Sequence, residues 1–229
     1  MDKQSASKIK VIITGATGMV GEGVLHECLQ HEEIEQVLSI SRRSCEITHP
    51  KLKEIIHENF FDLSPIEMEL TGYDACFFCL GVSSVGMKEK EYYHLTYELT
   101  MHVAQTLSKQ NPSMTFCYIS GASTDSSEKG RMMWARVKGK TENDLMKLPF
   151  KAVYNFRPGV LVPTKGLKNT LVLYKYLGWL IPIIKMLAPK RISSLSELGM
   201  AMIYVAIKGF EKPILEVPDI VFVSKKKFV

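Results

Sequence analysis

The chain has 229 residues, 46% hydrophobic and 23% charged, with a formal net charge of +5. That is the balance of an ordinary globular protein, long enough to bury the core of one full α/β domain. Its lysines and arginines are scattered among acids, which reads against nucleic-acid binding, and only Lys225 to Lys227 cluster, as a solvated tail.

In chain order, Met1 to Ser7 is polar and reads as frayed. Val11, Ile12 and Ile13 make a short β-branched run suited to a strand buried on both faces. Gly15, Gly18 and Gly21 follow at three-residue spacing, and then Val20, Val24, Leu25, Cys28 and Leu29 recur with helical period. Further strands are expected at 37–40, 55–57, 74–80, 115–119 and 151–156. Helices are expected at 66–70, 89–109, 131–148 and 195–207, the last capped by Ser194 or Ser196 ahead of Glu197. The alternation predicts a parallel sheet with helices on both faces. Residues 171–187 are strongly apolar but are interrupted by Lys175, Gly178, Pro182 and Lys185. That reads against a transmembrane span and leaves peripheral contact with a membrane surface open.

Strand, glycine turn and helix together form a cradle for a pyrophosphate. Glycines let the backbone approach the phosphates, and the helix start offers unpaired N–H groups and a positive dipole end. Five cysteines, an odd number, fit free thiols in a reducing compartment, and no secretory apolar segment follows Met1, so a cytoplasmic protein is expected. Cys76 and Cys79 make a CxxC spacing, but inside ACFFCLG they lie three apart on a strand and point to opposite faces. That reads against a redox pair or a metal site.

These stretches resemble the short-chain dehydrogenase/reductase superfamily. TGATGMVG is similar to the glycine pattern of its extended and atypical branches, as is the order Asp62-Leu63, Leu80-Gly81, Ser120, Lys138, Arg157-Pro158-Gly159. FFCLGVSS, VKGKTEN and FRPGVL are closest to the atypical group that includes Tat-interacting-protein-like oxidoreductases. The resemblance implies a Rossmann-type α/β fold: a doubly wound parallel sheet in three layers with a small C-terminal lobe. One domain is expected, with residues 8–163 as the cofactor-binding core and 164–229 as a lobe on the substrate side. The glycine turn, with Gly15, Thr17, Gly18, Met19, Val20 and Gly21, is implied to hold the cofactor. Asp62 and Leu63 would border the adenine, Leu80, Gly81 and Val82 would pass along the cofactor, and Pro158 and Gly159 would also bind it. The oligomeric state and any physiological partner cannot be read.

At the end of strand two, where an acid marks NAD binding, the chain has Ser41, Arg42 and Arg43. Two guanidinium groups suit a 2′-phosphate, so NADP is expected over NAD. The family's catalyst is a tyrosine four residues before a lysine on one helix face. The lysine lowers the tyrosine pKa, and the tyrosine moves a proton at the substrate oxygen. Here Lys138 is in place, but Trp134 stands where tyrosine is expected, and an indole N–H does not exchange a proton at useful pH. Ser120 and Ser123 could polarise a carbonyl and Asp125 could relay a proton. Tyr204 and Lys208 have the right spacing but come too late in the chain. Two readings stand: an NADP-dependent oxidoreductase or epimerase-like enzyme on a small molecule, or a dinucleotide-binding sensor that has lost catalysis.

Overall fold

The computed structural model describes residues 8–169, 186 and 188–228. Strand β1 (Ile9–Thr14) leads through the glycine turn into α1 (Met19–Gln30) and β2 (Ile34–Ser41). After β3 (Leu52–Ile56) and β4 (Ala75–Phe78) come α2 (Glu89–Tyr93), α3 (Leu99–Gln110) and β5 (Thr115–Ile119). Helix α4 (Met133–Leu145) leads to β6 (Ala152–Arg157) and β7 (Val160–Val162). The chain is completed by β8 (Ile192–Ser194), α5 (Leu195–Lys208), β9 (Ile214–Glu216) and α6 (Val217–Val223). Seven strands form one sheet in the order β3-β2-β1-β4-β5-β6-β9, every neighbouring pair parallel. Strands β7 and β8 pair separately, also in parallel. This is the three-layer Rossmann-type arrangement.

The sheet is covered on both faces, as a parallel sheet requires. Val11 and Ile13 point into one core with Val24, Leu25 and Cys28 of α1 and Leu198 and Met202 of α5. Ile12 points the other way, into a core with Val103, Ala104 and Leu107 of α3. Cys76 joins the second core and Cys79 packs on the first, so the CxxC pair does face opposite sides. All five cysteines are free thiols. Helices α1 and α5 cross closely, each through a glycine set against a side chain of the other. A Cβ at Gly23 would lie 2.8 Å from Cβ of Leu195, and one at Gly199 would lie 2.8 Å from Cγ of Glu27. Ser194, not Ser196, caps α5: its hydroxyl accepts the Glu197 N–H at 3.0 Å, and Glu197 accepts the Ser194 N–H at 2.8 Å.

Several expectations need amendment. The short helix at 66–70 is a 3₁₀ turn over Ser64–Leu70, opened by Pro65. The long helix at 89–109 contains a π turn, His94–Glu98, that separates α2 from α3. Strands β7, β8 and β9 are three residues each, too short for an alternating pattern to reveal. The 225–227 tail is not simply solvated. The Lys226 ammonium lies over the rings of Tyr204, Phe210 and Phe222, 5.0–5.7 Å from their centroids. Phe228 meets His31 edge-on at 4.5 Å and also contacts Tyr204. The apolar segment 171–187 lies outside the described residues except for Met186. Among the described residues, no helix is long and apolar enough to cross a membrane.

Candidate functional site

The three glycines of the first turn differ in what they do. Gly15 has φ +74, and a Cβ there would lie 2.8 Å from the Cys79 carbonyl carbon. A Cβ on Gly21 would lie 2.1 Å from the Gly15 carbonyl oxygen. Both glycines therefore let β1, β4 and the first turn of α1 come together. Gly18 is exposed, and a Cβ there would meet only the Gly15 oxygen at an ordinary 3.5 Å. Its missing side chain leaves room outside the turn, beside first-turn N–H groups that have no intrahelical partner. The partly buried side chains of Met19 and Val20 pack against the core. Open room at Gly18 and tight packing at Gly15 and Gly21 fit a bound pyrophosphate.

At the end of β2, Ser41 is buried and its hydroxyl pairs with Ser39 at 3.2 Å, so it anchors the strand. Arg42 and Arg43 are exposed and line different cavities. Arg42 borders a cavity of about 230 Å³ with residues 58–61, Leu80, Gly81, Val82, Leu95 and Leu99. A Cβ at Gly81 would meet nothing within 4 Å. Arg43 borders a second cavity of about 230 Å³ with Thr17, Ser44, Cys45, Glu46, Lys168 and Asn169.

Asp62 and Leu63 do not line the first cavity. Leu63 is buried in the core. The Asp62 carboxylate accepts the Ser64 hydroxyl at 2.6 Å and the Ser64 N–H at 3.1 Å, and these bonds hold its pKa down. Asn59, Phe60 and Phe61 line that cavity instead. Phe61 stacks flat on His94 at 4.4 Å, and the π turn brings Leu95 to the same wall as Leu99. The signal available for these residues was the Asn59-Phe60-Phe61 run just after β3.

Helix α4 is held by a buried ion pair. The Glu142 carboxylate, fully buried, accepts from Arg157 Nε at 3.0 Å and Nη2 at 2.5 Å. Arg157 also reaches Glu216 at 3.2 Å and the Ser126 hydroxyl at 2.5 Å. The Ser120 hydroxyl joins this cluster, 2.5 Å from Glu142 and 3.0 Å from the Phe156 carbonyl, rather than facing outward. Neither Glu142 nor the structural duty of Arg157 was visible in the sequence, because a partner fifteen residues away leaves no local pattern.

Lys138, four residues before Glu142, donates to the Ser120 carbonyl at 2.5 Å. Burial pulls its amine down to about 8, with Glu142 acting in the opposite sense. Trp134, one turn earlier on the same face, is half-buried and belongs to neither hydrophobic core. Its ring lies 3.9 Å from where a Cβ on Gly121 would be. Ser123 is exposed, with φ +69, an uncommon conformation for a residue with a side chain. Asp125 is committed to the loop: it accepts the Ser127 hydroxyl at 2.6 Å, the Gly130 N–H at 2.6 Å and the Ser127 N–H at 3.0 Å, and these bonds lower its pKa. Buried Pro158 accepts the Ala122 N–H at 2.9 Å, and a Cβ at Gly159 would lie 2.3 Å from the Arg191 carbonyl oxygen. Those two residues build a corner. Tyr204 and Lys208 line a different cavity, with Tyr154 and Phe210, at the end of α5.

Residues 11–131 match the model of the NAD dependent epimerase/dehydratase family. Protein FMP52, mitochondrial, from Candida glabrata is 28% identical over 158 residues, covering 68% of this chain and 65% of that protein. Protein HTATIP2 from Rattus norvegicus is 27% identical over 154 residues, covering 66% of this chain and 62% of the relative. The match thus spans just under two thirds of both relatives. A short-chain dehydrogenase from Leptospira borgpetersenii, solved with bound NAD+, shares the fold at TM-score 0.68 and 13% identity, covering 93% of each chain. The expected cytoplasmic location is overturned by the relatives: FMP52 proteins from four further yeasts are also named mitochondrial.

Removing Glu142 leaves the Arg157 guanidinium buried without its main counter-charge. Glu142→Ala should lower unfolding free energy by about 3–5 kcal/mol, read by urea denaturation. Replacing both partners with apolar residues of similar volume should cost far less. Equal losses in the single and double variants would show that the pair is not the cause.

Proposed function

The chain belongs to the NAD-dependent epimerase/dehydratase family, and on that premise we propose that it binds NADP(H) and acts as an oxidoreductase or epimerase-like protein on a small substrate. The observation that carries this reading is the first turn, open at Gly18 and closed at Gly15 and Gly21, with Arg42 and Arg43 rather than an acid at the end of β2. The turn from Gly15 to Gly21 would hold the pyrophosphate. Arg42, Arg43 and the cavity walled by Phe60 and Phe61 would take the adenosine end, and Lys138 would reach the nicotinamide ribose. When bound, the cofactor supplies or accepts a hydride.

The chain's own side chains limit the proton chemistry open to it. Trp134 can donate an N–H but cannot deliver a proton. The Ser120 hydroxyl is spent on Glu142, which leaves Ser123, exposed on the same loop, as the serine with room to polarise a substrate oxygen. A second reading, a dinucleotide-responsive binding protein with slow or lost catalysis, is favoured by Trp134 and Ser120 together. The names of the yeast relatives support a mitochondrial location. Fractionation of the tagged full chain should recover it with mitochondria, and recovery outside them would refute this.

Binding should be tested first, by calorimetry. NADP should bind more tightly than NAD, because charge-assisted hydrogen bonds to a 2′-phosphate contribute about 1.5–3 kcal/mol each. Gly18→Arg should abolish binding of both while leaving thermal stability nearly unchanged, since the space at Gly18 lies outside the turn. Undiminished binding in that variant would sink the placement.

The proton deficit gives a kinetic prediction. Carbonyl reduction should be slow in the unmodified protein, and Trp134→Tyr should raise it, by up to the hundredfold to ten-thousandfold that general acid catalysis typically contributes. Brisk turnover in the unmodified protein that Lys138→Ala leaves untouched would overturn this assignment.

A further inference from the structure

The second cavity, bordered by Arg43, has two walls built by carboxylates that clamp backbone. On one side Glu54 of β3 accepts the Cys45 N–H at 2.7 Å and the Ser44 hydroxyl at 2.9 Å. The Ser44 hydroxyl in turn accepts the Glu46 N–H at 3.0 Å, and Glu46 is held at φ +53. On the other side Glu22, in the first turn of α1 and 5% exposed, accepts the N–H groups of Lys168 at 2.8 Å and Asn169 at 2.7 Å. These bonds span nearly 150 residues of sequence and fix the 168–169 backbone beside the glycine turn. Lys168, Arg43 and Thr17 of the glycine turn all line the cavity. The Lys168 ammonium pairs with Glu46 at 3.2 Å.

We propose that Lys168, held in place by Glu22, is a second cation for the 2′-phosphate of NADP, and that this cavity between the β2 loop and the 168–169 backbone is where that phosphate sits. The inference rests on the NADP reading and adds to it a specificity residue from beyond β7. A phosphate dianion meets Arg43 from the β2 loop and Lys168 from the opposite wall. It competes with the single carboxylate of Glu46 for the lysine, and that ion pair is exposed and weak enough to exchange. NAD, which has a hydroxyl at the same place, gains nothing from breaking the pair. Glu22 is a positioning residue: its carboxylate bonds backbone, not ligand.

The test is a set of dissociation constants for NADP, NAD and 2′,5′-ADP, measured by calorimetry on the full chain. Lys168→Ala should weaken NADP and 2′,5′-ADP about tenfold and NAD less than twofold. Glu22→Ala should reduce the NADP-to-NAD preference in the same sense, and Glu22→Gln, which keeps an acceptor oxygen, should restore most of it. Equal affinities for NADP and NAD in the unmodified protein overturn the NADP reading itself. With that preference intact and Arg43→Ala reducing it, an unchanged preference in Lys168→Ala overturns this inference alone. Equal losses on NADP and NAD place Lys168 on the pyrophosphate and overturn it too. Lys168 is exposed, so its variant folds whatever becomes of the Glu22 variants.

Discussion

The ion pair between Glu142 and Arg157 is the constraint on which the rest of the site depends. Taking both charges out of water is costly, and the cost is offset only when the geometry is good and the remaining polar atoms are satisfied. Here two guanidinium nitrogens meet the two carboxylate oxygens, Ser120 adds a further donor, and Glu216 and Ser126 take the rest of the arginine. One cluster thereby ties α4 to the ends of β5, β6 and β9. A Cβ at Gly139 would lie 1.8 Å from the Asp125 carbonyl oxygen, so the helix also rests its backbone directly on the 121–130 loop. With α4 fixed in rotation and height, Lys138 sits against the Ser120 carbonyl and Trp134 against Gly121.

The same rule governs several other acids of the chain. Glu22, Glu54, Asp62 and Asp125 each accept hydrogen bonds that set the path of a loop. Burial alone would raise the Glu54 pKa, but the bonds from Cys45 and Ser44 prevail and lower it. Asp62 and Asp125 are lowered outright by their serine partners. Glu54, Asp62 and Asp125 are therefore not carboxylic acids holding a proton at neutral pH. Fixing loops with ionised carboxylates and supplying a general acid are opposed uses of one group, and these residues are committed to the first.

The parts of this protein that local pattern can encode are legible in its sequence. The β1 run, the glycine turn and the alternation of strand and helix predict the sheet and its two covered faces. The opposite orientation of Cys76 and Cys79 comes from strand geometry alone. What stays hidden depends on contact between distant residues or on very short segments. Glu142 looks like any helical glutamate until Arg157 is brought under it. Strands of three residues carry no period. The lysines near 226 look solvated unless three aromatic rings are known to surround one of them. Asp62 lies where the resemblance puts the adenine border, but Ser64 claims its carboxylate and a phenylalanine pair lines the cavity.

The five thiols carry a consequence for where this protein can live. Burial pushes Cys79 up to about 12 and Cys45 up to about 11, and raises Cys28, Cys76 and Cys117 as well. Exchange with glutathione or with another protein's disulfide begins from a thiolate, and at physiological pH almost none of these groups is one. With Cys76 and Cys79 on opposite faces of the sheet, that CxxC spacing offers an oxidant no pair to join. The fold contains no disulfide, so a reducing compartment removes no covalent tie from it. Its stability therefore owes nothing to disulfide bonding, and a strongly reducing milieu would leave the native state as it is.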